Sequence, residues 1–273
     1  MNLIKSMFGR KKVMIGVLHL PPLPGSPLYK GNKIEEIIHF AIKEAKKLKY
    51  GGVDGIIIEN YGDMTYFPGK VGPETVSSMT RVITELSKIL DIPFGVCVLT
   101  DPFASLAIAH ATKASFIRAT VFTEAVMDVS GIIIGCAHQL LRFRKLINAE
   151  NVKVFADLQV KHSVPISPKS IEDSARDAVY FQADALIVTG SHTGLETPLD
   201  KVKKVKEALK TSLNPKIPLF VGSGVNKNNV KELLKYADGV IVGTSLKIGN
   251  KTTNPIDIKK VKELAKVVKE LNF

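Results

Sequence analysis

The chain has 273 residues, 45% hydrophobic and 23% charged, enough to bury a large core and too apolar for a disordered chain. Its net charge of +12 comes from 38 Lys and Arg against 26 Asp and Glu. No apolar run approaches the roughly 18–20 residues of a membrane helix, and Met1-Asn2-Leu3-Ile4-Lys5 opens no signal core, so a cytoplasmic protein is expected.

Short β-branched runs alternate with longer helical periods eight times. The first strand, residues 13–20, leads through a connection carrying four prolines between His19 and Pro27 to a helix at 34–49. Strands at 55–59, 94–99 and 116–121 are followed by helices at 73–90, 102–111 and 138–148. The fourth connection, residues 122–137, is unusually long. Strands at 152–160, 185–189, 219–222 and 239–242 then pair with helices at 170–181, 198–213, 227–236 and 255–271. Asn226 before Lys227 and Asn254 before Pro255 read as helix start signals. Continuously apolar strands suit a parallel sheet covered by helices on its outer face. Eight strand-then-helix units without a linker predict one α/β domain over residues 1–273, a single (β/α)₈ TIM barrel.

Lysines crowd residues 201–210, 227–235 and 259–269 at helical spacing, with Val202, Val205 and Leu209 between them in the first. These read as solvated faces of amphipathic helices. The charge leaves peripheral membrane contact open, whereas nucleic acid is disfavoured by zero Trp and 7% aromatic residues. Cys97 and Cys136 make neither a disulfide framework nor a zinc site, and Cys97 reads as a buried inert thiol.

In a barrel the chemistry sits where the strands end. Those ends supply His19, Glu59, Asn60 and Asp101, then Arg118 inside the fourth strand. The fifth and sixth contribute Asp157, Lys161, His162 and Thr189. Two Gly-rich turns follow the seventh and eighth strands, Gly222-Ser223-Gly224 and Gly243-Thr244-Ser245, and together they predict a phosphate cradle. Asp157 and Lys161 fall four apart on what reads as extended chain, so they share a face: an acid/base pair, or a structural ion pair. Arg118 needs a partner, either a carboxylate such as Asp101 or Glu59 or an anionic substrate. His19, His162 and His192 lack metal-ligand spacing, so neither a metal nor another cofactor is expected.

Several blocks resemble the BtpA/SgcQ family, named for a photosystem I biogenesis factor. They are Ile15 through Pro27, Val53-Asp54-Gly55-Ile56-Ile57-Ile58-Glu59-Asn60, Phe116-Ile117-Arg118, Lys161-His162, Val188-Thr189-Gly190 with Thr193-Gly194, Val221 through Val225, and Asp238 through Lys247. The resemblance implies a barrel similar to the ribulose-phosphate-binding group. Leu99-Thr100-Asp101 and Arg118-Ala119-Thr120-Val121 depart from the family's Leu-Arg-Asn-Asp-like and Arg-x-Asn-Val-like segments.

Two functions are therefore expected to compete. One is a barrel enzyme on a small phosphorylated metabolite, with Glu59, Asp157 or Lys161 handling protons in an isomerase, epimerase or aldol-type step. His19, Asn60, Asp101, Arg118, His162 and Thr189 would then bind substrate. The other is a non-catalytic biogenesis or regulatory factor meeting a membrane surface or a protein partner. Homo-oligomerisation is open in both.

Overall fold

A computed structural model describes residues 3–272. Helix α1 (Leu3–Phe8) precedes β1 (Val13–His19), α2 (Ile34–Gly51), β2 (Gly55–Glu59), α3 (Pro73–Ser87), β3 (Phe94–Cys97), α4 (Pro102–Thr112) and β4 (Phe116–Ala119). Two short strands, β5 (Val126–Asp128) and β6 (Gly131–Ile133), lie before α5 (Ala137–Leu146) and β7 (Lys153–Leu158). Then come β8 (Val164–Pro165), α6 (Ile171–Tyr180), β9 (Ala185–Val188), α7 (Leu199–Leu209), β10 (Leu219–Gly222), α8 (Val230–Leu233), β11 (Gly239–Val242) and α9 (Ile258–Glu270).

Eight of the strands close a parallel barrel in the order β1-β11-β10-β9-β7-β4-β3-β2, and β6-β5-β8 form a separate small sheet. The predicted (β/α)₈ architecture is therefore present, and its eight strands fall where the apolar runs placed them. Their ends are shorter: β3 stops at Cys97, β4 at Ala119 and β7 at Leu158. The chain turns sharply just beyond, with Thr100 at φ 71° and Gln159 at φ 47°.

Side chains two apart on a strand share a face, and this fixes the interior in layers. A lower layer stacks Phe116, Phe155 and Phe220, with ring centroids 4.6 and 5.1 Å apart. The rings fit because Gly95 and Gly239 leave room; a Cβ there would come within 2.3 Å of Phe116 and 2.4 Å of Phe220. Two residues further along, β4 and β7 present Arg118 and Asp157, while Ile57 and Val17 are followed by Glu59 and His19. The polar layer thus sits directly above an aromatic floor. Helix α1 was not anticipated; its Ile4 joins the inner cluster, and Phe8 meets Phe116 edge-on at 6.3 Å.

Two predicted helix starts move. Asp257, not Asn254, caps α9, accepting from Lys259 N–H at 2.9 Å. The helix expected at 227–236 shrinks to α8, because Asn229 Oδ1 and Asn226 Oδ1 accept the N–H groups of Asn226 and Asn228 (both 2.9 Å) and hold a turn instead. Both cysteines are buried and free, and burial raises both thiols, Cys136 to about 12, in keeping with inert side chains. No described helix is long and apolar enough to cross a membrane.

Candidate functional site

A cavity of about 870 Å³ opens at the C-terminal end of the barrel. It is lined by His19, Glu59, Arg118 and Lys161, and by all six residues of the two Gly-rich turns. Four strand ends and two loops thus bring most of the sequence-selected residues together.

Arg118 is the hub. Its Nε and Nη2 donate to Asp157 Oδ1 and Oδ2 at 2.8 and 2.7 Å, and Nη1 donates to Glu59 Oε1 at 3.0 Å. Its partners are therefore Glu59 and Asp157; Asp101 is not one of them. Burial acts to lower the guanidinium, but the two carboxylates outweigh it and hold the pKa well above the ordinary value. Glu59 keeps Oε2 toward His19 Nε2, 3.7 Å away. Burial, reinforced by the charges of Lys247 and Lys161, keeps His19 neutral, and its buried Nδ1 has no hydrogen-bond partner.

Lys161 does not pair with Asp157. The extended chain that would have put them on one face ends at Leu158, and Gln159 turns left-handed. Lys161 Nζ instead lies 3.4 Å from Ser223 Oγ, at the first Gly-rich turn. Desolvation, then the nearby Arg118 charge, lowers its pKa. A desolvated lysine beside a second cation is the setting in which an amine acts as base or nucleophile near neutral pH.

The two turns offer backbone donors. Among the described residues, the N–H groups of Ser223, Gly224, Val225, Thr244 and Ser245 have no acceptor within the chain. Neither turn opens directly onto a long helix: one precedes the four-residue α8, the other a three-residue 3₁₀ turn. The anion-attracting field that a long helix would add is thus small, and the free N–H groups are what the two turns offer an anion. Lys247, which follows the second turn, is 2% exposed and is neither solvated nor part of the cavity wall. Burial pushes it down to about 8, against the pull of Glu44.

Five selected residues lie outside the cavity wall. Asn60 donates to Asp63 and accepts Leu99 N–H (2.9 and 2.8 Å). Asp101 caps α4, accepting Ala104 N–H, and also accepts Val71 N–H, both at 2.9 Å. Asp157 stands behind Arg118 with both oxygens occupied. Thr189 is fully buried, and its Oγ1 has no partner. His162 is exposed and latches the loop between β9 and α7.

That loop is a wall of the cavity through Thr193, Gly194, Leu195 and Glu196. Glu196 Oε1 accepts from Asn226 Nδ2 at 2.9 Å, and Thr197 Oγ1 donates to Gly222 O at 2.6 Å. These contacts, with Lys251 and Thr252 from the chain returning after β11, escape the sequence pattern because no periodicity governs a loop. At the loop tip, Thr193 N–H donates to His162 Nε2 at 3.1 Å, and His162 N–H donates to Ser191 O at 3.0 Å.

The acceptor role requires a neutral ring. Desolvation, then Lys161 and His192, lower the His162 pKa, with Asp128 opposing. The latch therefore holds above the ordinary value of 6.5 and is lost as the pH falls through the lower folded-state value. Hydrogen exchange of the Thr193 amide, corrected for intrinsic rate, is expected to lose protection on acidification in the unaltered chain. His162→Gln removes the step; a step that persists in the variant contradicts the assignment.

Residues 10–270 match the BtpA family. An uncharacterised protein of Pyrococcus horikoshii is 42% identical over 262 residues, covering 95% of this chain and 97% of its own length. The photosystem I biogenesis protein BtpA of Synechocystis sp. is 37% identical over 246 residues, covering 89% of this chain and 83% of its own length. Among solved structures, phosphoribosyl anthranilate isomerase from Thermus thermophilus aligns with a TM-score of 0.54 at 10% identity, over 94% of this chain and 99% of that one. At that identity the likeness carries the barrel and nothing of its chemistry.

Proposed function

The chain belongs to the BtpA family, and we propose that its barrel binds a small phosphorylated metabolite and moves a proton on it, in an isomerase, epimerase or aldol-type step. The observation that carries this reading is the set of five unengaged N–H groups on residues lining one cavity with a desolvated lysine. Backbone donors without internal acceptors at a barrel rim suit a phosphate's several acceptor oxygens.

With phosphate on the turns at Ser223–Val225 and Thr244–Ser245, the rest of the metabolite extends toward Lys161, His19 and Glu59. Lys161 is the group suited to take a proton or to attack a carbonyl, because its charge is already disfavoured. Neutral His19 suits donation to, or acceptance from, an oxygen, and Glu59 is the carboxylate within reach of it. Asp157 acts through Arg118 as a positioning group.

The test is exchange of substrate C–H for deuterium in heavy water, followed by NMR, with a phosphorylated compound that the protein binds. Glu59→Gln and Lys161→Met are expected to slow exchange by about 10²–10⁴ while binding persists. Binding without exchange in the unaltered chain would overturn the catalytic part and favour a ligand-sensing factor.

A further inference from the structure

We propose that Lys161 acts as a nucleophile, forming an imine with the carbonyl carbon of a phosphorylated aldehyde or ketone. The imine rests on phosphate binding at the two Gly-rich turns, and it fixes which of the amine's two roles operates. Four lysines line the cavity, and their surroundings differ. Lys227 Nζ lies 3.7 Å from Glu263 Oε2, and Lys251 is exposed. Lys260 Nζ is held by Lys247 O and Asn250 Oδ1 at 3.0 and 2.8 Å. Lys161 is withdrawn from water, yet no carboxylate among the described residues lies within ion-pair distance of it. Its one hydrogen bond is the 3.4 Å contact to Ser223 Oγ.

The acids that could neutralise Lys161 are engaged elsewhere: Arg118 occupies both oxygens of Asp157 and one of Glu59. Desolvation, then the Arg118 charge, favours the free amine, with Glu59 and Asp157 opposing from farther off. An available lone pair is what a nucleophile needs, whereas a lysine that only held phosphate would need its charge. A lysine serving only as a base would be redundant here. Glu59 Oε2 and the Nδ1 of neutral His19 are both free of hydrogen bonds, so the layer already holds two proton carriers.

The barrel order sets these groups against the amine. Strands β1 and β2, which carry His19 and Glu59, are neighbours, whereas β7 lies four strands from β1 and three from β2. Amine and proton carriers thus enter the mouth from opposite sides, with the turns after β10 and β11 to hold the phosphate. Imine formation needs that division, because one group bonds to carbon while another moves protons. The Lys161 lone pair attacks the carbonyl carbon, and the C=O π pair passes to oxygen. That oxygen leaves as water, carrying one hydrogen from the amine and one proton relayed by His19. The neutral ring accepts at one nitrogen as it donates from the other. A positively charged C=N–H group remains and draws electrons from the neighbouring C–H bond, whose proton Glu59 Oε2 takes. Addition of water then frees the amine.

The test is trapping of the full chain at neutral pH with dihydroxyacetone phosphate or glyceraldehyde phosphate. Sodium cyanoborohydride is present to reduce the charged imine to a stable amine. Intact mass and peptide mapping are expected to show one adduct, at Lys161. Inorganic phosphate at about ten times its dissociation constant is expected to slow labelling about tenfold, by occupying the turns. Lys161→Met loses the adduct, whereas Lys201→Met keeps it, although burial lowers the pKa of Lys201 too. A chain that inorganic phosphate stabilises, but whose Lys161 reacts no faster than Lys201 with either probe, overturns the imine and leaves phosphate binding standing. Labelling of Lys161 that is as fast with unphosphorylated dihydroxyacetone, and indifferent to phosphate, overturns phosphate binding and the substrate class with it.

Discussion

Arg118→Met is expected to cost about 3–5 kcal/mol of stability, because it leaves two buried carboxylates without their cation. The side chains of Arg118, Glu59 and Asp157 are 6, 5 and 0% exposed, so water replaces little of what is lost. Asp157 suffers most, since its two hydrogen bonds of the bidentate pair go together. For a chain of this size that is a fall in melting temperature of roughly 10 °C. Arg118→Lys recovers only part, because an ammonium cannot span both Asp157 oxygens and Glu59 at once. Glu59→Gln, which keeps an acceptor for Nη1, is expected to be mild. Thermal and urea denaturation of the three variants check the ranking; an Arg118→Met chain as stable as the parent contradicts the hub.

Gly224→Val and Gly222→Ala are expected to differ sharply although they lie in one turn. Gly224 has φ 63°, and a Cβ there would fall 2.3 Å from Glu196 Cα. A β-branched residue in that conformation is strained, and the obstacle is backbone, so the β9–α7 loop must lift from the turn. The expected loss is about 2–3 kcal/mol, with the cavity wall at Leu195–Glu196 displaced. Gly222 is different: a Cβ meets Thr189 Cγ2 at 3.4 Å and Ile187 Cγ2 at 3.5 Å, ordinary contacts. Gly222→Ala should melt within about 1 kcal/mol of the parent. Proteolysis of the loop reports the displacement directly, fast in Gly224→Val and unchanged in Gly222→Ala. Equal susceptibility of the two would refute the steric account.

Much of the barrel was legible because its signals are periodic. Runs such as 55–58 and Gly239–Val242 are apolar on both faces, as a covered parallel sheet requires. Period two also orders the polar layer in the structure, where Phe116 with Arg118 and Phe155 with Asp157 share a face, although the sequence selected Arg118 only as a charge in need of a partner. The same rule misled at Lys161, where the strand had already ended and Gln159 reversed the turn. Asp101 looked like a rim acid because it follows a strand, yet that position is equally the start of α4, and capping claimed it. Helix α1 escaped notice because six residues give less than two turns of period. The segment Val126–Ile133 read as a loop, since two three-residue strands around Val129-Ser130 leave no alternation long enough to recognise. The burial of Lys247 has no local sequence signal: the carboxylate that bears on its ammonium, Glu44, lies on α2 some two hundred residues earlier.

The claim that the rim between β10 and β11 holds a phosphate is tested most directly by ligand-dependent melting. The unaltered chain and Ser223→Asp would be scanned against phosphorylated sugars, polyols and inorganic phosphate. Ser223 lines the cavity within 3.4 Å of Lys161, so an aspartate there puts negative charge among the free N–H groups. A phosphorylated ligand at 100 times its dissociation constant is expected to stabilise the parent by roughly 2.7 kcal/mol, several degrees of melting temperature, and to leave Ser223→Asp unmoved. A parent that no phosphorylated compound stabilises, or a shift that survives Ser223→Asp undiminished, would contradict the account.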